Sequence, residues 1–306
     1  MALYIVKRLL SALPTLFIII TLSFFLMRVA PGGPFDLERP LEAKVMENLK
    51  RVYQLDRPLW EQYLIYLKSL LHGDLGPSFY WRDFSVNELF ARALPISMRI
   101  GATALGVALV VGSLLGALAA LRQNSAADYA VMTGATLGIT IPTFVVAPVL
   151  QLVFGLALAW LPLGGWNDGA WRNSILPIAT LALPQIAIIA RLTRASMIEV
   201  LRSHHIRTLR SQGLPLRYVL KHSLRAAALP VVSYLGPAAA ALMTGSIVVE
   251  TIFAIPGIGR YFVDAALNRD YTLVMGTVIL VAVLVVLFNL VVDLVYAWLD
   301  PRVRYE

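Results

Sequence analysis

Residues 191–230 read RLTRASMIEVLRSHHIRTLRSQGLPLRYVLKHSLRAAALP, between two strongly apolar parts of the chain. This stretch contains eight Lys/Arg and a single acidic residue, Glu199. Apolar residues recur at helical spacing on both sides of Gly213, and basic residues lie beside them. Glycine is common just past a helix end, and Pro215 suits the first turn of the next helix. The stretch therefore predicts two short helices joined by a tight turn, each with an apolar and a basic face.

Two interpretations of residues 191–230 are open. Basic cytoplasmic loops mark orientation in membrane proteins and need no partner. The paired amphipathic pattern and the Gly-Leu-Pro turn favour the other interpretation, in which the two helices press on a partner protein.

The composition places the chain among polytopic membrane proteins. Its 306 residues are 58% hydrophobic and only 14% charged, and the mean hydropathy is +0.73. The absence of cysteine excludes disulfides and thiolate chemistry. The four histidines are not spaced as a metal site, and the net charge of +8 is concentrated in predicted cytoplasmic segments. We therefore attribute the charge to topology and not to nucleic-acid binding.

Six hydrophobic runs predict six transmembrane helices, at residues 9–27, 99–121, 130–160, 175–190, 229–251 and 273–299. The third run is too long for one straight crossing, and Pro142 and Pro148 should kink it. The second run is rich in small residues that favour close helix packing, among them Gly101, Gly106, Gly112 and Gly116.

The runs divide the chain into three parts. Residues 1–30 contain the first transmembrane helix, which we interpret as retained and not as a cleaved signal peptide. Residues 31–96 form a small outer domain with two amphipathic helices, the second ending before Pro95. Residues 97–306 form a five-span core that includes a cytoplasmic loop, residues 195–228.

Charge predicts the orientation. Predicted inner segments carry 13 Lys/Arg, whereas the two short outer loops carry three. Both termini should therefore be cytoplasmic and residues 31–96 should lie outside.

The sequence contains none of the common catalytic or phosphate-binding motifs. There is no phosphate-binding GxxxxGK[ST], no HExxH and no GxSxG, and the spans show no nucleophile–base pair. We predict no catalytic residue, no metal site and no cofactor bound by this chain. Any transport must therefore be driven by an ion gradient or by a partner, or must proceed without an energy source.

Residues 207–213 resemble the EAA loop of ABC importer permeases, in which a short coupling helix inserts into a cleft on the cytoplasmic ATPase. The matching residues are Arg207, Thr208, Leu209, Arg210, Ser211, Gln212 and Gly213, followed by Leu214 and Pro215. Arg207 stands where other branches have glutamate, and Leu209 where they have alanine. The peptide branch, with Arg-Thr-Ala-Arg-x-x-Gly, is the more similar one.

Three further stretches resemble dipeptide and oligopeptide permeases: QLDRPL with GDLGPS at residues 54–59 and 73–78, ETIF with PGIG at residues 250–259, and NRDY at residues 268–271. Together they resemble the B-type permease subunit of an oligopeptide importer in the bacterial inner membrane. The resemblance implies a heterodimer with a second permease, two ATPase subunits that hold ATP and Mg, and an extracytoplasmic peptide-binding protein. It implies transport by alternating access.

Two alternatives to a peptide permease are open. One is a permease of the same branch for another substrate, such as nickel or an opine. The other is an autonomous ion-coupled carrier, which should show inverted repeats and charged residues at mid-membrane. Neither feature is visible in the sequence.

Polar residues within the spans are candidates for function, because ionisable groups in lipid are costly. We expect the outer segment with Glu250, Pro256, Gly257 and Gly259 to form an outer gate. In it, Glu250 would accept hydrogen bonds from backbone amides freed where the proline and glycines break the helix, or alternatively meet the amino group of a peptide.

Gln151, Gln185 and Asp293 are further candidates among the polar residues of the spans. Gln151 and Gln185 either line a pathway or hydrogen-bond between helices. Asp293 is expected to reach the interface or to pair with a basic inner residue.

Overall fold

The computed structural model describes residues 2–29, 33 and 43–299. Within them the fold is built from α-helices, with one isolated β-bridge between Pro77 and Ser85. The helices are α1 Ala2–Val29, α2 Ala43–Val52, α3 Leu59–Leu71, α4 Val86–Leu121, α5 Ala126–Thr140, α6 Thr143–Leu150, α7 Trp171–Leu201, α8 His204–Ser211, α9 Leu216–Met243, α10 Ile247–Ile252, α11 Ile258–Leu267 and α12 Tyr271–Leu299.

The predicted all-α membrane fold is confirmed. The membrane-spanning helices α1, α4, α7, α9 and α12 are each long and apolar enough to cross a bilayer. The third predicted span, residues 130–160, corresponds to the pair α5 and α6, which meet at a bend of 103°. The bend falls at Pro142, as predicted, because Ile141 before the proline is extended and ends α5. Pro148 lies inside α6, and a π-helical segment, Gln151–Ala157, follows it.

The bent pair α5–α6 carries the chain from one end of the bundle to the other. Asp128 in the first turn of α5 contacts Arg194 near the end of α7, from which the chain continues into α8. Gln151, just after α6, donates to the carbonyl of Ile252 in α10 over 3.3 Å. We refer to these as the α8 end and the α11 end. The pair therefore counts as one crossing.

α1 and α12 pack antiparallel and contact each other through side chains near both ends. Arg8 Nε lies 3.1 Å from an Asp293 carboxylate oxygen, which confirms the predicted pairing of Asp293 with a basic residue. At the other end, the Arg28 guanidinium carbon lies 5.9 Å from the ring centroid of Tyr271. The start of α1 and the end of α12 therefore both lie at the α8 end.

α4 is longer than predicted. The expected amphipathic helix ending before Pro95 and the expected span from residue 99 form one continuous helix. Pro95 removes one amide donor from the helix. A capping box of Ser85 and Glu88 provides hydrogen bonds to backbone amides at the start of α4. Val86 is fully buried in a cluster with α11 and α12. The predicted domain boundary at residue 96 thus falls inside a helix.

Glycines bring α4 against its neighbours, as predicted. A Cβ on Gly112 would stand 2.9 Å from the Ile186 carbonyl oxygen, and one on Gly116 would stand 2.7 Å from Thr193 Cβ. Gly101 meets the backbone of α9 in the same way, whereas Gly106 faces open space. Three of the four glycines therefore serve close packing.

Asp270 attaches the region before α4 to the start of α12. Its buried carboxylate accepts hydrogen bonds from Ser78 Oγ at 2.5 Å and from the Tyr80 amide at 3.1 Å. It also accepts from the Leu273 amide, and the Thr272 hydroxyl shares its single hydrogen between this carboxylate at 3.0 Å and the Pro77 carbonyl at 2.6 Å. Three donors, and in part a fourth, therefore compensate the burial of the Asp270 carboxylate.

Candidate functional site

Two parts of the chain carry the predicted site residues. One is α8 with the turn that follows it. The other is the segment of residues 244–270, which contains α10 and α11 and which we refer to as the 244–270 segment.

The 244–270 segment begins earlier than predicted. α9 ends at Met243, and the chain turns at Gly245, whose φ is +91°. Ser246 then caps α10 by accepting from the Val249 amide. The predicted break at Pro256–Gly259 is also present, since residues 253–257 separate α10 from α11. The span therefore ends about two turns before the expected residue 251, because Gly245 supplies a left-handed turn.

Glu250 joins α10 to the first turn of α11. Its Oε2 accepts hydrogen bonds from the Gly259 amide at 2.8 Å and the Arg260 amide at 3.3 Å. The predicted bonds from freed backbone amides to this carboxylate are thus present. The residue is only 2% exposed. The first amides of a helix have no acceptor inside it, and lipid tails offer none. Glu250 therefore supplies the acceptor for two of these amides.

Ser97 of α4 completes this arrangement. Its hydroxyl donates to Glu250 Oε1 at 2.6 Å and accepts from the Ile258 amide at 2.9 Å. The three amides at the start of α11 are therefore all bound, two by Glu250 and one by Ser97. Through Ser97 the 244–270 segment is fixed to the longest helix of the bundle.

Glycines surround the Glu250 carboxylate. A Cβ on Gly257 would collide with the carboxylate, and a Cβ on Gly245 would stand 2.7 Å from its Oε1. A Cβ on Gly259 would stand 2.8 Å from the Ile247 backbone. Pro256 is half-buried in the turn between α10 and α11. The predicted residues Glu250, Gly257 and Gly259 thus meet at one point.

Gln151 and Gln185 both hydrogen-bond between elements. Gln151 Nε2 donates to the carbonyls of Leu163 and Ile252. Gln185 Oε1 accepts from the Tyr234 hydroxyl at 2.5 Å, which links α7 to α9. These contacts are of the interhelical kind, and a role in lining a pathway stays a prediction.

The turn after α8 has the predicted form. Gly213 has φ +74°, and Pro215 directly precedes α9. Two boundaries differ from the prediction. The first amphipathic helix is interrupted at residues 202–203, so that α7 runs unbroken to Leu201. The second amphipathic helix and the fifth span form one helix, α9, with Pro230 inside it.

α8 presents a basic surface at its end of the bundle. Ile206 is fully buried on the inner side of the helix. Arg207, Thr208 and Arg210 are exposed, as are Gly213, Leu214 and Pro215 in the turn, and Leu209 is half-buried. Within the described part of the chain, neither Arg207 nor Arg210 forms an ion pair. The charge of this surface is therefore available to an external partner.

A buried ion pair fixes α5 beside the approach to α8. The Arg194 guanidinium donates two hydrogen bonds to Asp128, at 2.5 and 2.7 Å, and Asp128 is only 2% exposed. Arg202, just before α8, donates to Gln123 at 3.1 Å. Bidentate pairs of this kind hold a fixed geometry.

Comparison with known proteins identifies the family. Residues 112–305 match the family described as "Binding-protein-dependent transport system inner membrane component", and residues 1–80 match the N-terminal region described for such membrane components. The chain belongs to this family.

Relatives match along the whole chain. The oligopeptide transport system permease protein OppB of Haemophilus influenzae is 53% identical over 303 residues, 99% of each chain. OppB of Escherichia coli K12 shows the same identity and coverage. The dipeptide transport system permease protein DppB of Bacillus subtilis is 45% identical over 305 residues, 99% of this chain and 98% of the relative.

Sequence reasoning missed several residues of this inner-membrane component. Ser97 lies 153 positions from Glu250 and carries no local signal. Gly245 precedes a serine and follows a threonine, a composition typical of turns that could have indicated the break. Asp128 and Arg194 are 66 positions apart, and no local pattern links them.

Replacement of Gly257 by alanine tests the packing around Glu250. Because the new methyl would displace the carboxylate, we expect the free energy of unfolding to fall by about 1–3 kcal/mol. Denaturant unfolding of the purified protein in detergent measures it. The matched control is Gly106→Ala in α4, where a methyl meets open space and helix propensity should raise stability by about 0.5–1 kcal/mol. Equal stability of the two variants would contradict the close packing of Gly257 against the Glu250 carboxylate.

Proposed function

We propose that this chain is the permease subunit of an ATP-driven importer that carries oligopeptides across the bacterial inner membrane. The observation that supports the substrate is the similarity to OppB proteins over 99% of both chains. The family description, a component of binding-protein-dependent transport systems, supports delivery of the peptide by an extracytoplasmic binding protein. The full assembly would contain a second permease and two ATPase subunits that bind ATP and Mg.

The α8 surface is the proposed contact with an ATPase subunit. Its unpaired Arg207 and Arg210, and the exposed Leu214, offer charge and apolar area together. α8 packs between the end of α7 and the start of α9, so a force on it would reach both helices. This is why the geometry favours a coupling role over a purely topological one.

The 244–270 segment is the proposed outer gate. The bonds of Glu250 and Ser97 make α10, α11 and α4 one connected unit. Opening would therefore either carry α4 along or break the two hydrogen bonds of Ser97; in the second case α10 and α11 would move as a body, with Gly245 as the flexible joint at their start. Because Glu250 is engaged by three donors, its proposed role is to hold the segment and not to bind peptide.

The proposed orientation places the α8 end in the cytoplasm, with both termini. It rests on the excess of Lys/Arg in the segments at this end. The α11 end, with α2, α3, α10 and α11, would then face outside.

Variants of the α8 turn test the coupling role. Gly213→Val opposes the left-handed backbone, and Arg210→Glu reverses an exposed charge. We expect both to abolish peptide uptake, and the importer's ATPase activity to lose its dependence on the binding protein, while membrane insertion stays normal. Uptake of a labelled tripeptide into proteoliposomes and phosphate release measure the two effects.

Matched controls for these variants lie at the other end of the molecule. Gly73 also has a positive φ, +75°, with open space around it, and Lys68 is exposed on α3. Gly73→Val and Lys68→Glu should leave uptake nearly unchanged. Wild-type uptake in both α8 variants would contradict the coupling role and would leave the basic residues of the α8 surface as determinants of membrane topology only.

Reporter fusions test the orientation. A fusion after Leu75, at the α11 end, should be active as a periplasmic alkaline phosphatase. A fusion after Gly213 should be active only as a cytoplasmic reporter. Activity of both on the same side would refute the six-span topology.

Cysteine cross-linking tests the gate. Gly259 is buried and a side chain there would collide with Ile247, so the probe belongs at Leu267, which is 77% exposed at the end of α11. The chain has no native cysteine. Cross-linking of Leu267→Cys to cysteines scanned along the partner permease should change when ATP and binding protein are added. Leu71→Cys on α3 is the control, and a constant yield at both sites with transport intact would rule the gate out.

A further inference from the structure

α3 is an amphipathic helix that the rest of the chain leaves partly uncovered. It runs from Leu59 to Leu71, and none of its 13 residues is buried. Large apolar side chains are exposed along it, to 49% for Leu59, 62% for Trp60, 54% for Leu64 and 87% for Leu71. An isolated helix of this length is marginal in water. A further surface must therefore cover the apolar residues of α3.

The residues of α3 divide into two sides. At 3.6 residues per turn, one side contains only aromatic and leucine side chains within about 100° of the helix circumference, in the order Tyr63, Leu67, Trp60, Leu71 and Leu64. The other side contains the charged and amide side chains, namely Lys68, Glu61 and Gln62, together with Ser69, Ile65 and Tyr66. Four of these, Gln62, Ile65, Tyr66 and Ser69, line a cavity with residues 74–77 of the loop before α4. A division of this kind is typical of helices that lie in a membrane interface.

α3 packs on the part of α1 that lies within the bilayer at the α11 end. Arg8 and Arg28 are 20 residues apart on α1, about 30 Å, which equals the thickness of the hydrocarbon core. Arg28 Nε donates to Gln62 Oε1 at 3.2 Å, so Gln62 lies at the boundary. The Tyr63 hydroxyl is bonded to Thr21 Oγ1 at 2.7 Å. Thr21 lies about 10 Å further into the span than Arg28, and the Tyr63 side chain therefore points into the hydrocarbon layer.

These contacts determine which side of α3 faces the bilayer centre. A rotation of about 100° from Gln62 to Tyr63 leads from the boundary level of α1 to the deeper level. Tyr66 lies between these two on the helix circumference, and its ring contacts Phe24 of α1, with centroids 5.7 Å apart. Further rotation in the same sense leads to the remaining residues of the apolar side, Leu67, Trp60, Leu71 and Leu64. The apolar side of α3 is therefore turned towards the membrane interior.

Two observations identify lipid as the surface that covers α3. The stretch of α1 on which α3 packs exposes Leu22 to 56% and Leu26 to 67%, and since α1 spans the bilayer, acyl chains surround this stretch. In addition, Trp60 is one of several exposed tryptophans at the α11 end, with Trp160 before α7 and Trp171 at its start. Tryptophan is enriched at the membrane–water interface.

We propose that α3 is an interfacial membrane helix whose Trp60, Leu64 and Leu71 insert among the acyl chains of the leaflet at the α11 end. With a length of about 20 Å, α3 is too short to cross the bilayer and lies within one leaflet. The flexible stem of Lys68 allows its ammonium group to reach the headgroups. Part of the predicted outer domain, residues 31–96, is thus a membrane segment. Lipid supplies the apolar contacts that so small a domain cannot build by itself.

Spin labels on single cysteines test the depth of α3, and the chain has no native cysteine. Leu64→Cys and Leu71→Cys place the label on exposed sites of the apolar side, where it should not disturb the fold. For the full chain in lipid nanodiscs, we measure collision rates of the label with oxygen, which concentrates among acyl chains, and with a water-soluble nickel chelate. We expect a high ratio of oxygen to nickel collision rates at both sites, similar to the ratio at Leu22→Cys on α1.

Glu61→Cys is the matched control on the polar side. Glu61 precedes Leu64 by one turn, and its contact with Arg57 is a partly exposed ion pair at 3.9 Å, which contributes little to stability. We expect a low ratio of oxygen to nickel collision rates at this site.

The measurement is repeated in inner-membrane vesicles, where the chain's partner subunits are present, because a partner protein is the competing occupant of the apolar side. Nickel collision rates at Leu64 and Leu71 as high as at Glu61 would place the apolar side in water. Low collision rates with both reagents in the vesicles would place it against protein. Either result would overturn the proposal, and oxygen-rich ratios in both preparations would establish it.

Discussion

The close approach of α4 to α7 and α9 is the contact on which the architecture depends. In a bilayer, apolar side chains gain little free energy by exchanging lipid contacts for contacts with a neighbouring helix. Helix association therefore depends on how closely the backbones can approach. Gly112 and Gly116 allow this contact with α7, and Gly101 allows it with α9, because in each case a methyl group would meet the partner's backbone or side chains. α4 also carries Ser97. Its position against α9 therefore determines where α10 and α11 dock, and a shift of α4 would detach them.

The second constraint is that broken helices in a membrane must satisfy their own amides. α11 begins beside protein and not beside water, and its first three amides are bound by Ser97 and Glu250. A neutral acceptor could bind these amides, but a carboxylate also complements the positive end of the α11 dipole. The Glu250 carboxyl group is thus bonded by two amides and a hydroxyl, beside a helix terminus. These bonds explain how an acidic residue can be buried here with no ion pair among the described residues.

Local patterns were sufficient to predict the spans, the bend at Pro142 and the turn at Gly213, because each follows from residues that are neighbours in sequence. They were insufficient for α4 and α9, where prolines suggested boundaries that packing overrides. Pro95 removes one backbone hydrogen bond from α4, whereas burial of the helical turns before Pro95 stabilises the continuous helix. The site was predicted in part. The hydrogen bonds of Glu250 follow from a break only three to seven residues away, which frees amides nine and ten residues along the chain. Ser97 comes from a distant helix, and no single sequence without relatives reveals such a contact.

α9 connects the two surfaces that carry the proposed function. It runs unbroken from the turn at Gly213 to the turn at Gly245, and its 28 residues span about 42 Å at roughly 1.5 Å per residue. Both flanking glycines have a positive φ: Gly213 lies in the turn by which the chain leaves α8 before it enters α9, and Gly245 lies in the turn by which it leaves α9. A displacement of α8 would therefore reach the start of the 244–270 segment along one helix and not through a series of loops. Pro230 and Pro237 inside α9 remove amide donors and permit bending, so these two positions determine how much of the displacement arrives.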